Sequence, residues 1–175
     1  MKKTFKYFIA LGLCGALLYS CKPDNDFTAG QPQNRMAQLA GAWKLQSVSQ
    51  IDLIAKSNNF SDPSRPEVDL TTQDITAVAP FTDMTITFAE DATNAPTTFS
   101  VIYGNAPKIF KLSAGTWKVD NLTAPGSIKL INGVDTTTTL IGAVNNLSLG
   151  MMTLQLKKYQ GVKAVTQYNY NFKKN

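Results

Sequence analysis

The sequence predicts an all-β protein: an up-and-down antiparallel β-barrel of about eight strands, with a two-sheet β-sandwich as the alternative. Three observations carry this. Apolar residues fall at every second position through most of 84–172, the period of a strand with one buried face. Between these runs stand clusters of Gly, Pro, Asn and Asp, residues that end strands and make tight turns. Helical spacing is confined to a short stretch, "NRMAQLAG" at 34–41.

The chain begins with a different kind of segment. Lys2, Lys3 and Lys6 precede an apolar run from Tyr7 to Leu18, followed by Ser20-Cys21. The run is shorter than the roughly 20 residues a membrane span needs, and its basic head and small-residue end are those of a secretory signal. "LYSC" at 18–21 resembles the lipobox of bacterial lipoproteins. The resemblance implies cleavage before Cys21 and lipid attachment to its sulfur, and several acyl chains together anchor firmly. The expected organisation is therefore a signal over 1–20, a lipidated tether over 21–34 and a barrel domain over 35–175. Lys22, Asp24 and Asp26 resemble the export signal of surface lipoproteins in Gram-negative gut commensals. That implies an outer-membrane anchor facing the cell exterior, with a periplasm-facing anchor as the other placement.

Loss of residues 1–20 removes three of the 17 lysines and arginines and none of the 12 acidic residues, so the net charge falls from +5 to +2. Such a balance makes no case for a nucleic-acid partner. The mature chain keeps a single cysteine, the acylated one, so stability has to come from a hydrophobic core.

Within the folded part, Asn34 is expected to cap the short helix and Gly41 to stop it. The first strand is expected from about Ala42 to Ile54. Trp43 and Leu45 share one phase and Val48 the other, which requires a bulge near Gln46–Ser47. Residues 55–80 contain Pro63, Pro66 and Pro80 and read as a long excursion. Alternation then resumes with Met84, Ile86 and Phe88, with Phe99, Val101 and Tyr103, and with Trp117 and Val119. It continues with Ile128 and Leu130, with Met152, Leu154 and Leu156, and with Tyr168, Tyr170 and Phe172. Asn132-Gly133 is expected to form a type I′ hairpin turn. A barrel also protects the first and last strands from edge pairing by joining them.

"GAWKL" at 41–45 and "GTWKV" at 115–119 hold the only two tryptophans. Glycine lets the backbone bend and approach a neighbour, and a tryptophan two residues on fills a wide barrel end. Both are expected in the core, Trp43 fully. The loop Gly104–Ala114 before Trp117 is expected to open the interior to water. Gly41-Ala42-Trp43, with the stretches Leu39–Asp52, Pro80–Phe88 and Gly115–Asp120, resembles lipocalin-like domains of unknown function in exported lipoproteins of gut anaerobes. The resemblance implies a barrel closed at one end by the tryptophan after a short helix. Lipocalins stack a late arginine on that ring. Here the only arginines are Arg35 and Arg65, so either Lys157, Lys158, Lys173 or Lys174 substitutes or nothing does.

Histidine is absent, which removes Ser-His and Cys-His nucleophile pairs and His-ligated metals. No catalytic serine motif or phosphate-cradling glycine run occurs. Asp52, Asp62, Asp69 and Asp74 surround the excursion without the regular spacing of a Ca²⁺ loop. The expectation is a non-enzyme without metal or cofactor. It is either a binding module for a small apolar ligand or glycan, or a structural or interaction lipoprotein with a filled barrel. The candidate ligand residues are Tyr103, Trp117, Thr137, Tyr168 and Tyr170, with Thr136–Thr139 the one polar interruption among bulky inward positions. Asp135-Thr136-Thr137 also resembles a short O-glycan acceptor. The oligomeric state is open.

Overall fold

Alternation along the sequence becomes alternation of burial in the computed structural model, which describes residues 34–58 and 69–175. Lys22, Asp24, Asp26, Cys21 and the whole 1–20 segment lie outside the described residues, as does 59–68 of the excursion.

A short helix α1 (Met36–Leu39) leads into β1 (Gly41–Asp52), and a second helical turn α2 (Leu53–Ser57) follows it. Then come β2 (Thr72–Asp74), β3 (Thr85–Glu90), β4 (Pro96–Ile102), β5 (Ala114–Val119) and β6 (Ser127–Asn132). The last strands are β7 (Asp135–Ile141), β8 (Met151–Gln160) and β9 (Lys163–Lys174). From β3 to β9 each strand pairs antiparallel with the next, β1 pairs with β3, and β9 pairs back on β1. Eight strands therefore close into a barrel, and the sandwich alternative is excluded.

The short β2 is the extra strand. It lies on the far half of β1, Ser49–Ile51, beyond Gly41–Lys44 where β3 pairs. Three residues without alternation gave no sign of it in the sequence. Two boundaries also move. β1 ends at Asp52 rather than Ile54, because the Asp52 carboxylate caps α2 by accepting from the Ile54 and Ala55 amides at 2.9 and 3.0 Å. In the β6–β7 hairpin Asn132 pairs with Asp135, so the loop is Gly133–Val134. Only the first of these two has positive φ, at 59°, which suits a type II′ turn rather than the expected type I′ centred on Asn132-Gly133.

The bulge in β1 is where the sequence requires it. Pairing with β9 skips between Leu45 and Ser47, so Trp43, Leu45 and Val48 are all fully buried. At the lower end of the barrel, α1 covers the opening. The Asn34 side chain accepts from the Met36 amide at 2.9 Å, and Met36 and Leu39 are fully buried.

The two Gly-x-Trp-Lys segments do the same job on different strands. Gly41 and Gly115 have φ of 114° and 150°, a region closed to ordinary side chains. A Cβ on Gly115 would stand 2.1 Å from the Ile131 carbonyl oxygen. Each tryptophan is then turned inward, 0% and 1% exposed, with its indole N–H donating to a main-chain carbonyl. Trp43 donates to Leu39 at the end of α1 and Trp117 to Ala89, both at 2.7 Å. Lys174 Nζ lies 5.5 Å from the centre of the Trp43 ring and donates to the Ala37 and Gln38 carbonyls at 3.3 and 3.1 Å. Of the lysines the sequence offered in place of arginine, Lys174 takes the position.

Candidate functional site at the open end of the barrel

The opposite end is built differently. Strands β7 and β8 pair at two positions only, Leu140↔Gln155 and Ile141↔Leu154. Above that point Thr139 alone bridges them, donating its buried hydroxyl to the Gln155 carbonyl at 3.2 Å. Beyond it the strands separate. Thr136, Thr137 and Thr138 of β7 and Leu156, Lys157 and Lys158 of β8 line the cleft between them. Its floor is Tyr168 and Tyr170 of β9, and its roof is Phe81 with Pro107–Ile109 and Lys111 from the β4–β5 loop. The cleft has a volume of about 700 Å³, within the range of small-molecule sites. Bulky inward residues were expected to leave little space. They fill the lower barrel, but at this end the inward position after Leu156 is a lysine and the one opposite Leu130 is Thr137.

Of the sequence-derived candidates, Thr137, Tyr168 and Tyr170 meet at this cleft. Trp117 and Tyr103 do not line it. Trp117 packs on Phe88 with ring centres 4.9 Å apart, deep in the core. The loop before it, expected to open the interior to water, lines the open cleft through Pro107–Ile109 and Lys111, while its Phe110 and Leu112 are buried and Trp117 is only 1% exposed. The Tyr103 hydroxyl donates to the Phe110 carbonyl at 3.2 Å and so braces the loop from outside the cleft. Asn105 is tied to the Asp83 carboxylate through its amide at 3.3 Å and its side chain at 3.1 Å. The part of the loop that overhangs the cleft is held at both ends.

Sequence reasoning missed Lys108, Lys111 and the cleft-facing role of Lys157 and Lys158. One signal was present. The inward series Met152, Leu154, Leu156 continues to Lys158, and a charge at an inward position marks an end open to water. Lys158 Nζ sits 5.3 Å from the centre of the Tyr168 ring, a cation–π contact. Tyr168 stacks on Tyr170 with centres 6.4 Å apart. Burial, with Tyr168 adding to it, pushes the Tyr170 hydroxyl up to about 12. It is therefore a hydrogen-bond donor at neutral pH and cannot serve as a base.

The aspartates near the excursion are engaged in their own turns. Asp69 accepts from the hydroxyls of Thr71 and Thr72 and the Thr71 amide, which hold its carboxyl at about 2. Asp74 accepts from the Thr76 amide and hydroxyl, which lower it too. Asp62 lies outside the described residues. Among the described residues no three His, Cys, Asp or Glu side chains converge on a possible metal position.

Fold and site together define a class: a closed antiparallel barrel, plugged at one end by a helix and a tryptophan and open at the other onto a cleft rimmed by lysines. The chain belongs to the family described as Domain of unknown function (DUF5004), which matches residues 20–173. No curated protein and no solved structure matches it.

Proposed function

We propose that this chain is a lipid-anchored outer-membrane lipoprotein, facing the cell exterior, whose lipocalin-like barrel binds a small ligand at its open end and catalyses no reaction. The observation that carries the binding reading is the 700 Å³ cleft where β7 and β8 part, with Thr137, Tyr168 and Tyr170 on its walls. The lipocalin-like reading is supported by the Gly-x-Trp segment after α1 and by the Lys174 cation over Trp43. The anchor reading rests on "LYSC" at 18–21, and the outward placement on Lys22, Asp24 and Asp26.

A second reading, a structural or interaction lipoprotein with no small ligand, draws on the lower barrel, where Trp43, Leu45, Met84, Ile86, Leu130 and Leu154 are fully buried. Titrating the full chain with a fluorescent apolar probe separates the two. Saturable binding that Leu156→Trp blocks is expected for a ligand module, and an unaffected signal refutes the cleft. For the anchor, Cys21→Ala should release the protein from membranes and abolish acyl labelling. Normal fractionation and labelling of that variant would overturn it.

A further inference from the structure

We infer that the ligand of this cleft is an anionic amphiphile, a single acidic head on an apolar chain. The inference rests on the reading of the cleft as a ligand site and deepens it. Four lysines line the cleft, Lys108 and Lys111 from the β4–β5 loop and Lys157 and Lys158 from β8, and among the described residues no aspartate or glutamate lines it. Among the described residues none of the four forms an ion pair; the single ion pair there joins Lys56 to Asp69. Like charges gathered without counter-charge repel one another, and an anion brought among them relieves that repulsion. The cations come from two separate elements, the roof loop and β8, so they flank the cleft rather than lie along one strand.

Phe81 and Ile109 of the roof and Leu156 of β8 present hydrocarbon to the cleft, beside the hydroxyls of Thr136–Thr138 and the two tyrosines. Those hydroxyls could serve a sugar, but a sugar ring also needs an open aromatic face to stack on. The Tyr168 ring already carries the Lys158 ammonium on it and stacks on Tyr170, which is 7% exposed. The floor therefore suits a chain better than a sugar ring. At roughly 30 Å³ per heavy atom of liquid, the volume of about 700 Å³ accommodates on the order of twenty heavy atoms, a single-chain amphiphile. A lysine acts as a point charge without the planar fork of arginine, so the rim reads charge and not head-group geometry.

The test uses the full chain and displacement of a dansylated undecanoate probe by decanoate, decanol and a digalacturonate. Decanoate should displace the probe at least tenfold more tightly than decanol, a difference of about 1.4 kcal/mol. The double variant Lys157→Gln/Lys158→Gln should weaken decanoate about tenfold and leave decanol unchanged. Lys118→Gln, on the exposed outer face of β5, should change neither. Added salt should weaken decanoate alone. Equal affinity for decanoate and decanol, or no effect of the double variant while its circular dichroism is native, overturns the acidic head. Tighter displacement by digalacturonate overturns the apolar chain. Failure of the dansyl probe itself to bind overturns the ligand-site reading beneath both.

Discussion

Replacing each tryptophan in turn separates what its bulk contributes from what its N–H contributes. Trp43 and Trp117 are 0% and 1% exposed, and each donates one 2.7 Å hydrogen bond to a main-chain carbonyl. Phenylalanine keeps most of the ring and loses the donor. It leaves the Leu39 or Ala89 carbonyl without that partner, at a cost of about 1–3 kcal/mol. Alanine adds a cavity the size of an indole, for a total of about 3–5 kcal/mol. Out of roughly 5–15 kcal/mol for a whole domain, that lowers the melting temperature by roughly 10–20 °C. Denaturant titration of the four single variants measures both steps. Each phenylalanine variant leaves one tryptophan as sole reporter, whose emission should be blue-shifted and closed to iodide. A Trp117→Ala variant within about 1 kcal/mol of the parent, or a Trp117 emission strongly quenched by iodide, would refute the reasoning that both indoles are packing devices.

Gly115→Ala should destabilise by more than about 3 kcal/mol, because its Cβ would collide with the Ile131 carbonyl at 2.1 Å, whereas Gly133→Ala meets nothing within 4 Å and should cost only about 1 kcal/mol; chemical denaturation compares them. Lys174→Met should lower stability by about 1–2 kcal/mol by removing the cation over Trp43, while leaving the cleft at the opposite end unchanged. Asp69 carries a folded value of about 2 against an ordinary 3.8, so its contribution is present above pH 4 and is lost as pH falls through 2. Protection of the Thr71 amide, corrected for the intrinsic exchange rate, should fall over that window in the parent, and Asp69→Asn should remove that fall. Tyr170 is raised from 10.0 to about 12, so its term is intact below pH 10 and disappears as pH rises through 12. Burial raises Tyr103 as well, so ultraviolet titration should find late-ionising tyrosines of which Tyr170→Phe removes the latest.

The barrel was legible because its signal is redundant. A strand with one buried face repeats its pattern at every turn of the sheet, and the β1 bulge showed as a phase change between Leu45 and Val48. The cleft was only half legible. Thr137, Tyr168 and Tyr170 stood out as polar or aromatic residues at inward positions, but the parting of β7 from β8 is a matter of register between strands, which no single strand encodes. Lys108 and Lys111 reach the site from a loop whose path is set by Phe110, Leu112 and the Tyr103 hydroxyl, contacts without periodicity. Trp117 lies in the core, as its Gly-x-Trp setting predicts, but as a ligand candidate it is misplaced, because it points across β4 to Ala89 of β3 and not into the cleft. The type II′ turn at Gly133–Val134 differs from expectation by one residue, a displacement that hydrophobic pattern cannot resolve.

Closure of the barrel by its first and last strands has a consequence for how the chain acquires its shape. Ser47 and Asn171 are hydrogen-bonded across 124 residues of sequence, and Lys174 reaches Ala37 across 137. As the chain emerges during synthesis, β1 has one edge without its partner until β9 is made. Pairings this distant are slow to form, and an open strand edge is a template for association with another chain. The helix α1 and the Trp43 plug likewise await Lys174. A chain lacking β9 would thus lose the seam itself and not merely one strand of an open sheet. Folding intermediates with an open seam are the species that a cell producing this protein has to shield from one another.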